Sequence, residues 1–249
     1  MSKHEKFILT PITIVIEEMI AATSCIGDGI ETYPLWDYII QSTFTKMTGF
    51  QEQKVKCIDW ELATNGFDYR RIYIEEVKNR GTYSTYDAKK QVYNALVSEI
   101  VRYSGVSRKD LITELKKRRI EPDKIIEQIF RDTNVVRSKQ REYSEFLTKC
   151  KTEINNQYYI VPDEKSKSVK LFESSLQSHY ENELYRQRNR IAHNTLSYQQ
   201  NLPDLETLRE DELSRNYFFW FSILVLIDEI FMDLYRYYAQ CVKDNSYFD

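Results

Sequence analysis

Apolar residues recur every three or four positions along most of the chain, the spacing of helices that bury one face. Residues 11–24 carry Ile12, Val15, Ile16, Met19 and Ile20 behind Pro11, a residue suited to a first helical turn. Residues 35–63 keep the same spacing from Trp36 to Leu62, with one slip near Gly49, and read as one long helix or two in series. Asn65-Gly66 then marks a turn. Residues 67–77 are rich in β-prone side chains (Tyr69, Ile72, Tyr73, Ile74, Val77) and predict a short strand or hairpin. Helical spacing returns over 85–104. Ser107 with Asp110 resembles a capping box opening 108–118, and Pro122 opens a helix over 122–132. A polar helix is expected over 137–155, followed by a loop with Pro162 and the Ser/Lys-rich stretch 165–168. The strongest patterns are the last two, 169–195 and 210–242, separated by a polar loop around Pro203.

Composition agrees with long helices. Six glycines and five prolines in 249 residues are too few for a sandwich or barrel, which turns every few residues. Hydrophobic residues at 42% and charged residues at 29% fit a globular domain rather than a disordered chain. The longest apolar run, Tyr217 to Ile227, is well short of the roughly 20 residues a membrane span needs. The short apolar patch Ile12–Ile16 before Glu17 and Glu18 does not lead one to expect a secretory leader, and Cys25, Cys57, Cys150 and Cys241 lie far apart without a CxxC pair. Reduced thiols in a cytoplasmic protein are therefore expected. The net charge of −3 conceals a basic middle: residues 107–152 carry 13 Lys/Arg against 8 Asp/Glu, whereas residues 201–249 carry 4 against 10. Lys116, Lys117, Arg118 and Arg119 could touch phosphates, or could simply complement the dipole at a helix end. The pair of helices over 107–133 also admits a weak helix-turn-helix reading for DNA.

Histidine limits the chemistry. Only His4, His179 and His193 are present, and no HExxH, ExxH or HxE…PCxxC pattern occurs, so no metal or other cofactor is expected. His4 falls in a segment expected to fray, and His179 with Glu183 reads as an ordinary helical surface pair. His193 differs in its surroundings, Arg186-Gln187-Arg188-Asn189-Arg190-Ile191-Ala192-His193. On a helix Asn189 and Arg190 share its face, and the long arm of Arg188 can still converge with the imidazole. A group titrating near neutrality, a fixed cation and an amide are then offered to one anion. That set suits RNA cleavage without metal: histidine moves a proton, arginine grips the phosphate, and the amide orients either partner. One histidine leaves such a reaction short of a second proton carrier, which a two-fold dimer would supply. Asp228 falls on the apolar stripe of the last helix and needs a buried partner, for which Arg188 or Arg190 is the expected one.

Arg188-Asn189-x-x-x-His193 resembles the Rx4-6H motif of the HEPN superfamily of helical ribonucleases, in its RNxxAH form. The setting matches as well, a long helix, a polar loop and a final apolar helix. The resemblance implies an all-α, HEPN-like bundle with a composite cleft between two copies, and metal-independent RNA cleavage. Arg188 would be the phosphate-binding arginine, Asn189 its polar helper and His193 the catalytic histidine. Arg186 also satisfies the spacing, and Arg186 and Arg190 are further candidates for RNA contact. The chain would be a single HEPN-like domain over 1–249, with 65–155 as an insertion or elaboration and 169–243 as the motif-bearing pair. RNA, a second copy and an antitoxin or sensor protein are the expected partners, in a defence or stress-response setting. The alternative is a HEPN-like module that has lost catalysis and binds a protein or nucleotide.

Overall fold

A computed structural model describes residues 2–76, 83–116, 120–154, 161–162, 169–171, 174–193 and 215–245. For Glu76, Leu115, Lys116, Val161, Pro162, Val169, Lys170, Ser174 and His193 it describes the backbone alone. The architecture is all-helical: α1 (Lys3–Ile8), α2 (Ile14–Thr23), α3 (Tyr33–Asn65), α4 (Phe67–Glu76), α5 (Tyr86–Ser104), α6 (Arg108–Lys116), α7 (Pro122–Phe130), α8 (Asn134–Ser138), α9 (Gln140–Glu153), α10 (Ser174–His179), a π-helical segment (Tyr180–Tyr185), α11 (Arg186–His193) and α12 (Tyr217–Asn245). Among the described residues the only extended pairing is a two-residue antiparallel bridge, Val161–Pro162 with Val169–Lys170. No helix among them is long and apolar enough to cross a membrane.

The centre is α12. Every side chain from Tyr217 to Asp228 is buried, so this stretch is covered on all sides rather than along one stripe. Helices α3, α5, α7 and α9 surround it. Aromatic side chains make most of these seams. Phe130 of α7 meets Phe218 edge-on at 4.9 Å, Phe44 of α3 meets Trp220 at 5.5 Å, and Tyr93 of α5 meets Phe231 at 6.4 Å. Such pairs add about 0.5–1.5 kcal/mol each beyond the area they bury. Helices drawn from 65–155 thus share one core with the motif-bearing pair.

Several local expectations are revised. Residues 67–77 do not form a hairpin; residues 67–76 are helical, and 77 lies outside the described residues. Tyr69 and Tyr73 lie one turn apart and both face α3, where Tyr69 donates to the buried Asp59 carboxylate and Tyr73 meets the Trp60 ring. Arg70 closes the end of α3 by donating to the carbonyls of Ala63 and Thr64. These tertiary contacts override β propensity. The helix expected over 137–155 breaks at Lys139, whose side chain is drawn inward to Asp37 at 2.6 Å and over the Tyr33 ring. The amino terminus is not frayed: Ser2 and Glu5 form a capping box for α1, and His4 sits 3.4 Å from Glu61. Residues 33–65 are one helix, and α5 ends at Gly105, whose φ of 66° suits glycine.

Asp228 does need a partner, but it is neither Arg188 nor Arg190. Lys54 of α3 lies 2.5 Å away, and both side chains are 1% exposed. Asp228 also accepts from the Ile12 backbone N–H, while Lys54 donates to the Thr10 carbonyl. Burial pushes the Asp228 carboxyl up and the Lys54 ammonium down, each opposed by attraction to the other. Breaking such a pair leaves a lone buried charge, which costs about 3–5 kcal/mol. Lys54→Met is expected to lower unfolding free energy by about that amount, and Lys54→Met with Asp228→Leu to recover part of it, as read from urea denaturation. A single-variant loss below about 1 kcal/mol, the range of exposed pairs, would contradict the role given to this pair.

Candidate active site

The motif lies where a long helical rod changes its winding. Leu176, Tyr180 and Leu184 are buried four residues apart. The rod runs α-helical to His179, π-helical from Tyr180 to Tyr185, and α-helical again from Arg186. Single π turns often mark functional positions. The Tyr180 hydroxyl donates to the Ser84 carbonyl at 2.7 Å and fixes this turn against the start of α5. About two turns later Gln187 donates to the Tyr217 hydroxyl, joining α11 to α12.

Arg188 leaves the first turn of α11 and is held at two places. One terminal nitrogen donates to Asn189 Oδ1 at 3.0 Å, and the other to Glu52 Oε2 of α3 at 3.2 Å. The Arg188 and Glu52 side chains are 23% and 17% exposed, so the ion pair sits at a mouth rather than in the interior. Behind it is a small cleft lined by Gln51, Lys89, Tyr180, Tyr185 and Arg188, among others. Its free space of about 10 Å³ would take roughly one water. Gln51 is 1% exposed and donates to the Leu224 carbonyl, yet its Oε1 has no hydrogen-bond partner among the described residues.

Lys89 is the unexpected member. Its amine is buried, donates to the Tyr83 carbonyl at 2.8 Å and lies over the Tyr180 ring. Desolvation, opposed by Glu52 and aided by Arg188, brings its pKa down to about 7. Three titratable groups from α3, α5 and α11 therefore converge, Glu52 paired with Arg188 and within electrostatic reach of Lys89.

The other expected site residues are distributed as follows. Asn189 acts on Arg188 through its carbonyl oxygen. Arg186 is exposed and lines no part of the cleft, whereas Arg190 is half-buried. His193 closes α11, and its side chain lies outside what is described. Lys116 ends α6 with its side chain outside the described atoms; Lys117, Arg118 and Arg119 lie outside the described residues. His179 is gripped by Glu183 at 2.6 Å and faces Glu153 at 3.7 Å, while Lys149 sits on Glu183 where a metal ion would need that carboxylate. Among the described residues no group of three or more His, Cys, Asp or Glu side chains could hold a metal ion.

Glu52, Lys89 and Gln51 were not picked out from the sequence. The available signal was in α3, where Thr48, Gln51 and Lys54 interrupt the buried stripe that runs through Phe44, Met47, Val55 and Ile58. Polar residues on an apolar stripe ask for partners. No protein-family model, curated protein or solved structure matches this chain.

The lowered Lys89 pKa has a measurable consequence. Between about 7 and the ordinary lysine value of 10.5, the unfolded chain binds a proton that the folded chain does not. Stability contributed by this group therefore rises with pH across that window, by about 1.4 kcal/mol per unit at most, and the burial penalty is complete below it. Urea denaturation near pH 7 and pH 9 should show this gain in the wild type and not in Lys89→Met. Equal pH dependence in both proteins would contradict the placement of Lys89.

Proposed function

We propose that this protein is a metal-independent endoribonuclease of HEPN type, a cytoplasmic effector that cleaves RNA in a defence or stress response. The observation that carries the reading is Arg188, held by Asn189 and Glu52 beside a small cleft, on the helix that ends five residues later in His193. A guanidinium fixed by two acceptors loses little conformational freedom when it grips a phosphate. Five residues correspond to about 7.5 Å along a helix axis, a separation that the two side chains can close on a single phosphodiester, Arg188 on its phosphate oxygens and His193 on the oxygen that leaves. In this reading Arg188 stabilises the charge that develops on phosphorus and His193 transfers a proton. Arg186, Arg190 and the basic run 116–119 guide the strand. A homodimer would set two such helices along one cleft, and an antitoxin or sensor protein would restrain or trigger the activity.

One observation favours a second reading. Arg188 is already paired with Glu52, as it would be in a non-catalytic HEPN-like module that uses this rod to hold a partner protein or nucleotide. The two readings separate on single-stranded RNA in EDTA. The ribonuclease reading predicts cleavage by wild type, a loss of about 10²–10⁴-fold in His193→Ala and about 10²–10³-fold in Arg188→Ala. Full activity in both variants would overturn the assigned residues. Cleavage by wild type that disappears with chelator would overturn the metal-free mechanism, and no cleavage under any condition would leave the module reading.

A further inference from the structure

The reaction needs two proton carriers, one to take the 2′-hydroxyl proton and one to protonate the departing 5′-oxygen. His193 supplies one. A carboxylate stands next to the phosphate-gripping arginine in the same chain: Glu52 Oε2 lies 3.2 Å from Arg188 Nη2, and both side chains are part-buried. A phosphate bound by Arg188 is therefore beside Glu52 as well. Glu52 is also held in place from within α3. Gln51, its neighbour in sequence, donates to the Leu224 carbonyl, and Lys54 is locked to Asp228. The groups facing Glu52 are Arg188 from α11 and Lys89 from α5, with Tyr180 of the π segment close enough to feel its charge. Positive charge from two neighbouring helices beside this carboxylate offsets its repulsion of a phosphate.

Resting on the ribonuclease reading, we infer that Glu52 is the general base of the site, so that one chain carries carboxylate, arginine and histidine together. Glu52 takes the proton of the 2′-hydroxyl as O2′ forms its bond to phosphorus. The phosphorus–O5′ bond breaks, and O5′ leaves with the proton of the His193 imidazolium. The products are a 2′,3′-cyclic phosphate and a 5′-hydroxyl end. Glu52 is left protonated and His193 neutral, and exchange with solvent restores both. No metal or consumed water enters the step. A second copy would then contribute cations and binding surface, not the missing base.

The test uses the full chain in EDTA, a mixed-sequence single-stranded oligoribonucleotide, and the same strand with sulfur replacing O5′ at the bond the wild type cuts. A thiolate leaves without help from an acid, so that substrate removes the need for His193 and keeps the need for a base. Glu52→Gln retains size and an acceptor for Arg188, and is expected to lose about 100-fold or more in kcat with KM little changed. Glu52→Asp, as a second variant, should retain a measurable fraction. The sulfur substrate should restore His193→Ala and leave Glu52→Gln impaired. Glu52→Gln at wild-type rate or faster, or restored by sulfur, overturns the assignment and makes Glu52 a mere holder or shield of Arg188. Absence of cleavage by wild type overturns the ribonuclease reading together with this inference, whereas active wild type with active Glu52→Gln overturns the inference alone. Matching far-ultraviolet circular dichroism of variants and wild type keeps a folding defect from passing as a chemical one.

Discussion

A charge has to be buried in the middle of this fold, and the arrangement around it follows from how it is neutralised. Helix α12 is enclosed from Tyr217 to Asp228, and the last residue of that run is an acid. Desolvating a carboxylate costs several kcal/mol unless a cation and further hydrogen bonds meet it. Lys54 and the Ile12 N–H do so, and Lys54 reaches on to the Thr10 carbonyl. One ion pair thus ties α12, the middle of α3 and the turn before α2 to a single register. Apolar packing alone would tolerate small sliding among so many aromatic rings; a buried pair with fixed partners does not.

The candidate site inherits that register. One turn before Lys54 on α3, Gln51 donates to Leu224, itself one turn before Asp228 on α12. Glu52 stands between these two anchors and, pointing elsewhere around the helix, meets Arg188. The far side of the rod is fixed independently by Tyr180 on Ser84 and by Gln187 on Tyr217. The Arg188–Glu52 contact is therefore set by three helices rather than by the flexibility of either side chain, which is what preorganisation of a charged site requires. The buried amine of Lys89 adds a cation whose charge is sensitive to pH near neutrality.

How much of this was legible varied with the range of the deciding contact. The long helices were legible because their apolar spacing is local. Residues 67–76 were misread as extended because the contacts that decide them, Tyr69 on Asp59 and Tyr73 on Trp60, join two helices. The break at Lys139 had the same origin, since its cause is Asp37 in α3. Within the site, Arg188 and Asn189 were readable as a short motif on one turn. Glu52 belongs to no motif and lies 136 residues away from its partner. Asp228 is legible as a misfit on an apolar stripe, but its partner does not lie on the helix nearest in sequence. The third helix supplied it, and the clue was Lys54 on a stripe of its own.

We propose that the arginine and histidine of α11 direct an RNA 2′-hydroxyl against its own phosphodiester. The most direct measurement is the chemistry of the new ends. A defined oligoribonucleotide cut in EDTA should yield 2′,3′-cyclic phosphate and 5′-hydroxyl termini by mass spectrometry, and a 2′-deoxy substitution at the cut site should block cleavage there. Products ending in 3′-hydroxyl and 5′-phosphate, or cleavage that ignores the 2′-deoxy substitution, would contradict the account.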